Sequence, residues 1–451
     1  MHPHTHYPVL QFSYMTSFKI IGGTPLRGAV RIGGAKNASF KLMIAAACGT
    51  GESRLLNMSN IGDVDVTYKT LEAIGIKCSR PGDNTVYIVG NGLSTDTIPH
   101  FTGEKTRAAT LFAGLLLNKK GRAIIPLPGG CALGDRPIER HLEGFRAMGA
   151  TVLCTDLGIE MEAKDGLHGA TYRFEKKSHT GTEALIIAAV LAKGQSIIEN
   201  AGLEPEIDDL ISFFNQMGAQ VKRDGEKIII DGVKNLHGST HYVMSDRNEA
   251  VSYATMAIAT KGDVIIEGAS PTYLKAFLDE LDKIGGRYEA SEYGIRFWYD
   301  KPLVSTDITT SPEPGFMTDW QPLWTTMMTQ AQGISTVVEA VTQHRLAFTT
   351  QLTQMGAKIE YFDPKPQNPE DFYEFNFPET VSYPHAAHIT GPTPFVGRHL
   401  TVPDLRGGAT LVMAAILAKG ESIIDNVELI DRGYERFDER LQNLSANITR
   451  I

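Results

Sequence analysis

Along this chain one pattern of apolar and polar positions comes round six times. Each round begins with an apolar, helix-like run such as LIIAAVLA or LVMAAILA and reaches a glycine. It continues as a short extended apolar run and an amphipathic helix, and stops at a turn residue. The opening glycines are Gly51, Gly121, Gly194, Gly262, Gly333 and Gly420; the closing residues are Gly75, Gly149, Gly218, Gly285, Gly356 and Ser445. The interval from opening to closing residue runs from 23 to 28 residues. In the third round Ile207, Leu210, Ile211, Phe214 and Met217 share one helical face, and Gly218 follows as a C-terminal cap. Ile138, Leu142, Phe145 and Met148 do the same before Gly149. Hairpins such as QVKRDGEKIIIDG follow the closing residues.

The sixth round ends at Ile451 with no room for its hairpin, whereas FKIIGGTPLRGAVRI, residues 18–32, is strand-like and precedes the first round. The N-terminal strands are therefore expected to complete the last unit. That predicts an α/β protein of two lobes with three units each: residues 37–243, and residues 17–36 joined to 244–451. The chain then crosses between lobes twice, leaving a cleft. Residues 1–16 read as a disordered extension, and residues 361–396, rich in proline and aromatics, as a surface insertion in the fifth unit.

Composition narrows the function classes. No apolar run approaches the roughly 20 residues that span a bilayer, and the N-terminus lacks the pattern of a secretion signal, so a cytoplasmic protein is expected. A formal net charge of −9 disfavours nonspecific nucleic-acid binding. Of the four cysteines, Cys48, Cys78 and Cys154 read as small buried apolar residues, and none has metal-ligand spacing. Cys131 differs. It sits in PLPGGCALGDRP, a glycine-rich loop where the second round carries about four extra residues, five positions before Arg136.

Fourteen residues before the opening glycines stand Asn37, Arg107, Thr180, Asn248, Asp319 and Arg406, each at the start of an apolar helix. Thr180, Asn248 and Asp319 suit helix capping. Arginine does not. Arg107 and Arg406, with Lys36 as a third cation, would sit at positive helix ends, a placement that calls for a bound anion. Arg136, Arg345 and Arg432 add guanidinium groups suited to phosphate and carboxylate. Asp319 among these cations is expected to stay ionised and to accept a proton from a substrate hydroxyl.

GGTPLRGAVRIGGAKNAS, PGGCALGDRPIERHLEGF, TGTEALIIAAVLAKGQSIIENAGLEPEI, MTDWQ, DLRGGATLVMAAILAKGESIIDNVE and DRGYER together resemble the enolpyruvyl transferases, in the branch whose acceptor is UDP-N-acetylglucosamine. The resemblance runs from about residue 18 to the C-terminus. It implies a two-lobed, inside-out α/β barrel of six βαβαββ repeats, three per lobe. It also implies transfer of the enolpyruvyl group of phosphoenolpyruvate to the 3′-hydroxyl of UDP-N-acetylglucosamine, with release of phosphate, in peptidoglycan precursor synthesis. An acceptor of another nucleotide class is the alternative. No metal, cofactor, nucleic acid or membrane is called for, and a monomer is the expected state.

By the same resemblance Cys131 is the general acid that protonates the phosphoenolpyruvate methylene, and it is open to alkylation by fosfomycin. Lys36, Arg136 and Arg432 hold the phosphate and carboxylate, with Arg406 in support. Asn37 and Asp319 hold the sugar. Arg107, the run Arg136, Pro137, Ile138, Glu139 and Arg140, the run Lys177, Ser178, His179 and Thr180, and Val341 match contacts to the nucleotide sugar. Arg345 and Asp404 match residues that assemble the closed site. KKSHTG and RPIER depart in detail from the commoner family sequences, where the nucleotide would bind.

Overall fold

The structure, a computed structural model, describes residues 16–82, 84–105, 107–127, 138–155, 158–375 and 383–451. The expected N-terminal extension therefore lies, but for Thr16, outside the described residues.

The opening glycines lead into the strands Glu52–Leu56, Arg122–Ile125, Gln195–Glu199, Asp263–Glu267, Gly333–Val338 and Glu421–Asp425, each in its own small sheet. The helices before them are Lys36–Cys48, Phe112–Lys120, His179–Ala189, Arg247–Ala259, Gln321–Met328 and Leu405–Leu417. These inner helices are apolar almost all round, so water cannot be accommodated on any face and they pack inside. Every residue of Arg247–Ala259 is buried. The first three pack on one another, as do the last three. Two separate cores result, one spanning Ala35 to Val243, the other joining Phe18–Ile32 to Ala250–Ile448.

All six closing residues adopt a left-handed backbone, with φ between +75° at Ser445 and +116° at Gly356. The turn, not the residue type, is what repeats. At the fourth opening position the left-handed residue is Lys261 (φ +59°) rather than Gly262. Gly262 serves another purpose there, because a Cβ on it would stand 2.0 Å from the Leu26 carbonyl oxygen.

The N-terminal strands part company. Ser17–Ile21 lies antiparallel between Glu421–Asp425 and Asn447–Arg450, completing the sixth sheet. Arg27–Arg31 does not join it, against the expectation that both strands would; it runs parallel to Asp263–Glu267 as the outer strand of the fourth sheet. A parallel strand needs only a nearby edge and a crossover helix, and the turn after Gly23 (φ +97°) delivers it to the fourth. On the return crossing, Thr240–Tyr242 pairs in parallel with Glu52–Leu56.

Two further expectations are corrected. Within residues 361–396, Ala386–Gly391 is a strand paired with both Gly333–Val338 and Lys358–Phe362, so the insertion proper is residues 363–385. Cys154 is exposed and Cys78 half-buried, while only Cys48 of these three is buried. Cys154 lies on Thr151–Thr155, an edge strand of a three-stranded sheet, which leaves it open to solvent. No helix among the described residues is long and apolar enough to cross a membrane.

Candidate active site

The helix starts organise the site, but the polar residues counted back from the glycines are not the caps. Ser178 caps the third inner helix by accepting from Gly181 N–H at 3.1 Å. Asp246 caps the fourth, accepting from Asn248 and Glu249 N–H at 2.8 and 3.0 Å. Asp404 caps the sixth, accepting from Arg406 and Gly407 N–H at 3.0 and 3.2 Å. Thr180, Asn248 and Arg406 are therefore second residues of capped helices, and Asp319 precedes Gln321–Met328 outright. With the backbone N–H groups satisfied from behind, these side chains are released for other contacts.

Arg406 uses that release. It is buried, and its Nε and Nη2 donate to one Asp319 oxygen at 3.2 and 3.1 Å while Nη1 donates to the Tyr434 hydroxyl at 3.0 Å. Arg345, also buried, donates from Nη2 to the other Asp319 oxygen at 2.8 Å and from Nε to Thr318 at 3.1 Å; its Nη1 stands 3.7 Å from Asp404. The anion demanded by a cation at a helix start is thus supplied by the protein's own carboxylates. Burial works against the Arg406 charge, yet Tyr434, Asp319 and Asp246 hold its pKa above that of an ordinary arginine. The Asp319 side chain remains 21% exposed, so two guanidinium groups fix it without sealing it off.

A second cluster joins the lobes. Lys36 opens the first inner helix, and its Nζ lies 2.9 Å from one Asp63 oxygen while Arg432 Nε lies 3.1 Å from the other. The contact is close-packed: a Cβ on Gly433 would stand 2.8 Å from the Lys36 side chain, and one on Gly62 would stand 3.2 Å from Arg432 Cα. Burial pushes the Asp63 carboxyl up, but Lys36 and Arg432 outweigh it and hold the group below the usual carboxylate range. The two clusters connect through Asp246, which accepts from Lys36 N–H at 2.8 Å and whose charge reaches Arg406 and Tyr434.

Lys36, Asp319, Arg345, Asp404, Arg406 and Arg432 are thus gathered around one junction, with Asn37 next to Lys36. Cys131, Arg136 and Pro137 lie outside the described residues. Arg107 opens the turn Arg107–Leu111 ahead of the second inner helix, and its side chain is likewise outside the description. The other candidates form a neighbouring group. Ile138 precedes the helix Glu139–Ala147 and rests on the first core. Glu139 is exposed and Arg140 half-buried. One residue on, His141 meets Thr180 at 3.2 Å. Lys177 pairs with Glu226 at 2.7 Å. His179 lies 3.2 Å from both Lys41 Nζ and Glu183. Val341 sits in the bend beyond Gly333–Val338, not within the strand, its N–H held by Glu339 at 2.9 Å.

Several charged residues of this region escaped the sequence reading. Asp63 is one, and its only local signal is an acid in the first turn of the helix Gly62–Ala73. Lys41 is buried beside Glu183 at 2.5 Å. Arg247 is buried between Glu206, at 3.0 Å, and Glu313. An arginine one residue before a counted position was visible; its buried carboxylate 41 residues upstream was not.

The profile of EPSP synthase (3-phosphoshikimate 1-carboxyvinyltransferase) matches residues 20–441. UDP-N-acetylglucosamine 1-carboxyvinyltransferase of Chlamydia muridarum is 37% identical over 440 residues, covering 96% of this chain and 98% of the relative. The enzyme of the same name from Idiomarina loihiensis is 36% identical, covering 97% and 100%. Among solved structures, the enolpyruvyl transferase NikO of Streptomyces tendae superposes with a TM-score of 0.84 at 21% identity, covering 97% of this chain and 99% of NikO. EPSP synthase of Acinetobacter baumannii does so with a TM-score of 0.71 at 19% identity, covering 97% and 100%. At such identities these two likenesses speak for the fold, the two-lobed enolpyruvyl transferase architecture. With a family profile and full-length relatives in agreement, the chain belongs to the family of EPSP synthase and the UDP-N-acetylglucosamine 1-carboxyvinyltransferases.

Proposed function

We propose that this enzyme transfers the enolpyruvyl group of phosphoenolpyruvate to the 3′-hydroxyl of UDP-N-acetylglucosamine and releases phosphate, in the cytoplasm, as the first committed step toward peptidoglycan. The observation that carries the reading is the junction of Asp319, fixed by Arg345 and Arg406 yet still accessible, with Lys36 and Arg432 gathered on Asp63 beside it. A carboxylate held by guanidinium groups can take a hydroxyl proton, while nearby cations suit the carboxylate and phosphate of phosphoenolpyruvate.

In this reading the 3′-oxygen attacks C2 of phosphoenolpyruvate as its proton passes to Asp319, and the Cys131 thiol delivers a proton to C3. A tetrahedral ketal results. It then loses a proton from the new methyl group and expels phosphate, leaving the enol ether. Lys36, Arg136 and Arg432 stabilise the phosphate and carboxylate, and Arg345 and Asp404 keep the Asp319 cluster assembled. Asn37, Arg107, residues 136–140, residues 177–180 and Val341 take the nucleotide sugar. Closure of the lobes excludes water from the cationic stage.

Phosphate release tests it. Turnover should require phosphoenolpyruvate together with UDP-N-acetylglucosamine, and neither UMP nor shikimate 3-phosphate should replace the latter. Cys131→Ser should lose both fosfomycin alkylation and most turnover, and Asp319→Ala should lose turnover while keeping nucleotide binding. Alkylation that persists in the serine variant would remove Cys131 from its role.

A further inference from the structure

Of the six positions counted back from the opening glycines, Asn248 is the one that neither caps a helix nor joins the residues read above as holding phosphoenolpyruvate or the nucleotide sugar. Its contacts give it another task. The indole of Trp320, next in the chain to Asp319, donates from Nε1 to the Asn248 side-chain oxygen at 2.8 Å. An indole can only donate, so the amide oxygen faces it. The Asn248 carbonyl accepts from the Ser252 hydroxyl at 2.8 Å. The one hydroxyl hydrogen of Ser252 is thereby committed, so in its 2.8 Å contact with Tyr434 the tyrosine donates and the serine oxygen accepts. Tyr434 in turn accepts from Arg406 Nη1 at 3.0 Å, and Arg406 returns to Asp319 through Nε and Nη2. The links close a ring that begins and ends at Asp319–Trp320. Asn248, Ser252, Trp320, Arg406 and Tyr434 are each at most 3% exposed. The ring stitches together the starts of all three inner helices of the second lobe: Asn248 lies in Arg247–Ala259, Trp320 adjoins Gln321–Met328, and Arg406 lies in Leu405–Leu417.

We propose that Asn248, Ser252 and Tyr434 are positioning residues for the Asp319 carboxylate. They fix Trp320, joined to Asp319 through the backbone, and Arg406, bonded to one of its oxygens, so that the carboxylate keeps one orientation as it takes the substrate proton. The inference rests on the reading of Asp319 as proton acceptor. Burial makes the ring strict, because a member that turns away leaves its neighbour's donor or acceptor unmet out of reach of water. Arg345 holds the other Asp319 oxygen from outside the ring. Opening the ring therefore loosens the carboxylate at one end only, which reduces the rate of the step it serves and leaves substrate binding nearly intact.

The test is a double-variant cycle on Tyr434→Phe and Ser252→Ala, in steady-state kinetics with phosphoenolpyruvate and UDP-N-acetylglucosamine. Phenylalanine keeps the ring that packs 4.7 Å from Phe437 and lies 5.4 Å beneath the Arg406 guanidinium, and removes only the hydroxyl. Each single variant should lower kcat by roughly tenfold with both KM values changed by less than about twofold. The two links are in series, so the double variant should lose about the same factor as either single one, not their product of about a hundredfold. An unchanged kcat in either single variant overturns the proposal, and so does a double loss that multiplies. If Asp319→Ala keeps its turnover, the proton-acceptor reading fails separately. Hydrogen exchange at the Trp320 indole, one of three tryptophans and so separable by NMR, then decides on the ring. Exchange at least about tenfold faster in both single variants supports it, and unchanged exchange overturns it.

Discussion

Asp63 shows how much of a site can hang on a residue that draws no attention to itself. Buried where the lobes meet, it holds Lys36, which opens the first lobe's first inner helix rather than closing the second lobe's N-terminal segment, and Arg432 of the second lobe through opposite oxygens. Asp63→Asn keeps the shape and removes the charge, so both cations lose their common anchor. We expect kcat/KM for phosphoenolpyruvate to fall on the order of 10²-fold, as misplacement of positioning groups generally costs, with Asp63→Glu recovering part of it. The pH dependence follows from sign. Burial opposes ionisation, Lys36 and Arg432 prevail, and the folded-state pKa lies below the unfolded one. The stabilisation is therefore complete above the ordinary carboxylate range and is lost as pH falls through the lowered value. Thermal midpoints of the unsubstituted protein and Asp63→Asn should differ by a constant amount near neutrality and converge in acid; a pH-independent gap would contradict the assignment. Lys36, Arg406 and Asp319 were legible in the sequence because each breaks an apolar run at a helix start. Asp63 was not, because an acid in the first turn of an amphipathic helix is what the helix dipole alone would select.

At the level of elements, the repeat was readable because a turn with positive φ leaves a glycine mark, and five of six closing positions carry one. Ser445 carries the same conformation with a side chain, at φ +75°. Ser445→Gly should raise stability, and Gly149→Ala should lower it, each by about 1 kcal/mol. Gly149 is a clean site for the comparison, since a Cβ there meets nothing within 4 Å and only backbone strain is tested. Thermal unfolding checks both, and a neutral alanine at 149 would refute the strain argument. Helix contacts carry a pH signature too. Burial lowers the His141 pKa to about 4 from 6.5, next to Thr180 at the start of the third inner helix. The neutral ring is the native form, so its contribution is intact above 6.5 and is lost as pH falls toward about 4. That amounts to about 3 kcal/mol in acid, and His141→Gln should flatten the slope. What pattern could not reveal was partner choice. Ser17–Ile21 and Arg27–Arg31 look equally extended, and nothing local says that one joins the sixth sheet and the other the fourth. Proline and aromatic content marked the segment as an insertion, whereas the burial of its Tyr373 and Phe375 and its contact with Lys176 depend on tertiary relations that pattern does not carry.

The whole molecule is two cores joined where the chain crosses, and the crossing is where a buried charge is least expected. Arg247, four residues past Val243 at the end of the first core, is 2% exposed and donates from Nε and Nη2 to both oxygens of Glu206, at 3.1 and 3.0 Å, in the first lobe. Burial pushes the Glu206 carboxyl up, but Arg247 and His179 outweigh it and keep the pKa below the ordinary value. The pair therefore stays ionised at neutral pH and ties the lobes beside the point where the chain crosses between them. Removing one partner strands the other: Arg247→Met should destabilise by about 3–5 kcal/mol. The same reasoning makes Glu206→Leu costly, because it leaves the guanidinium with Glu313 alone. Removing both strands no charge in the first lobe, so the double variant should lose clearly less than the two single losses combined. Chemical denaturation of the four proteins measures this coupling, and strictly additive losses would show that Arg247 and Glu206 do not act as one tie. If the tie holds the lobes in a shared register, the double variant should also bind phosphoenolpyruvate more weakly even where its stability is restored by added nucleotide sugar, since Lys36 and Arg432 meet on Asp63 only when the two lobes are aligned.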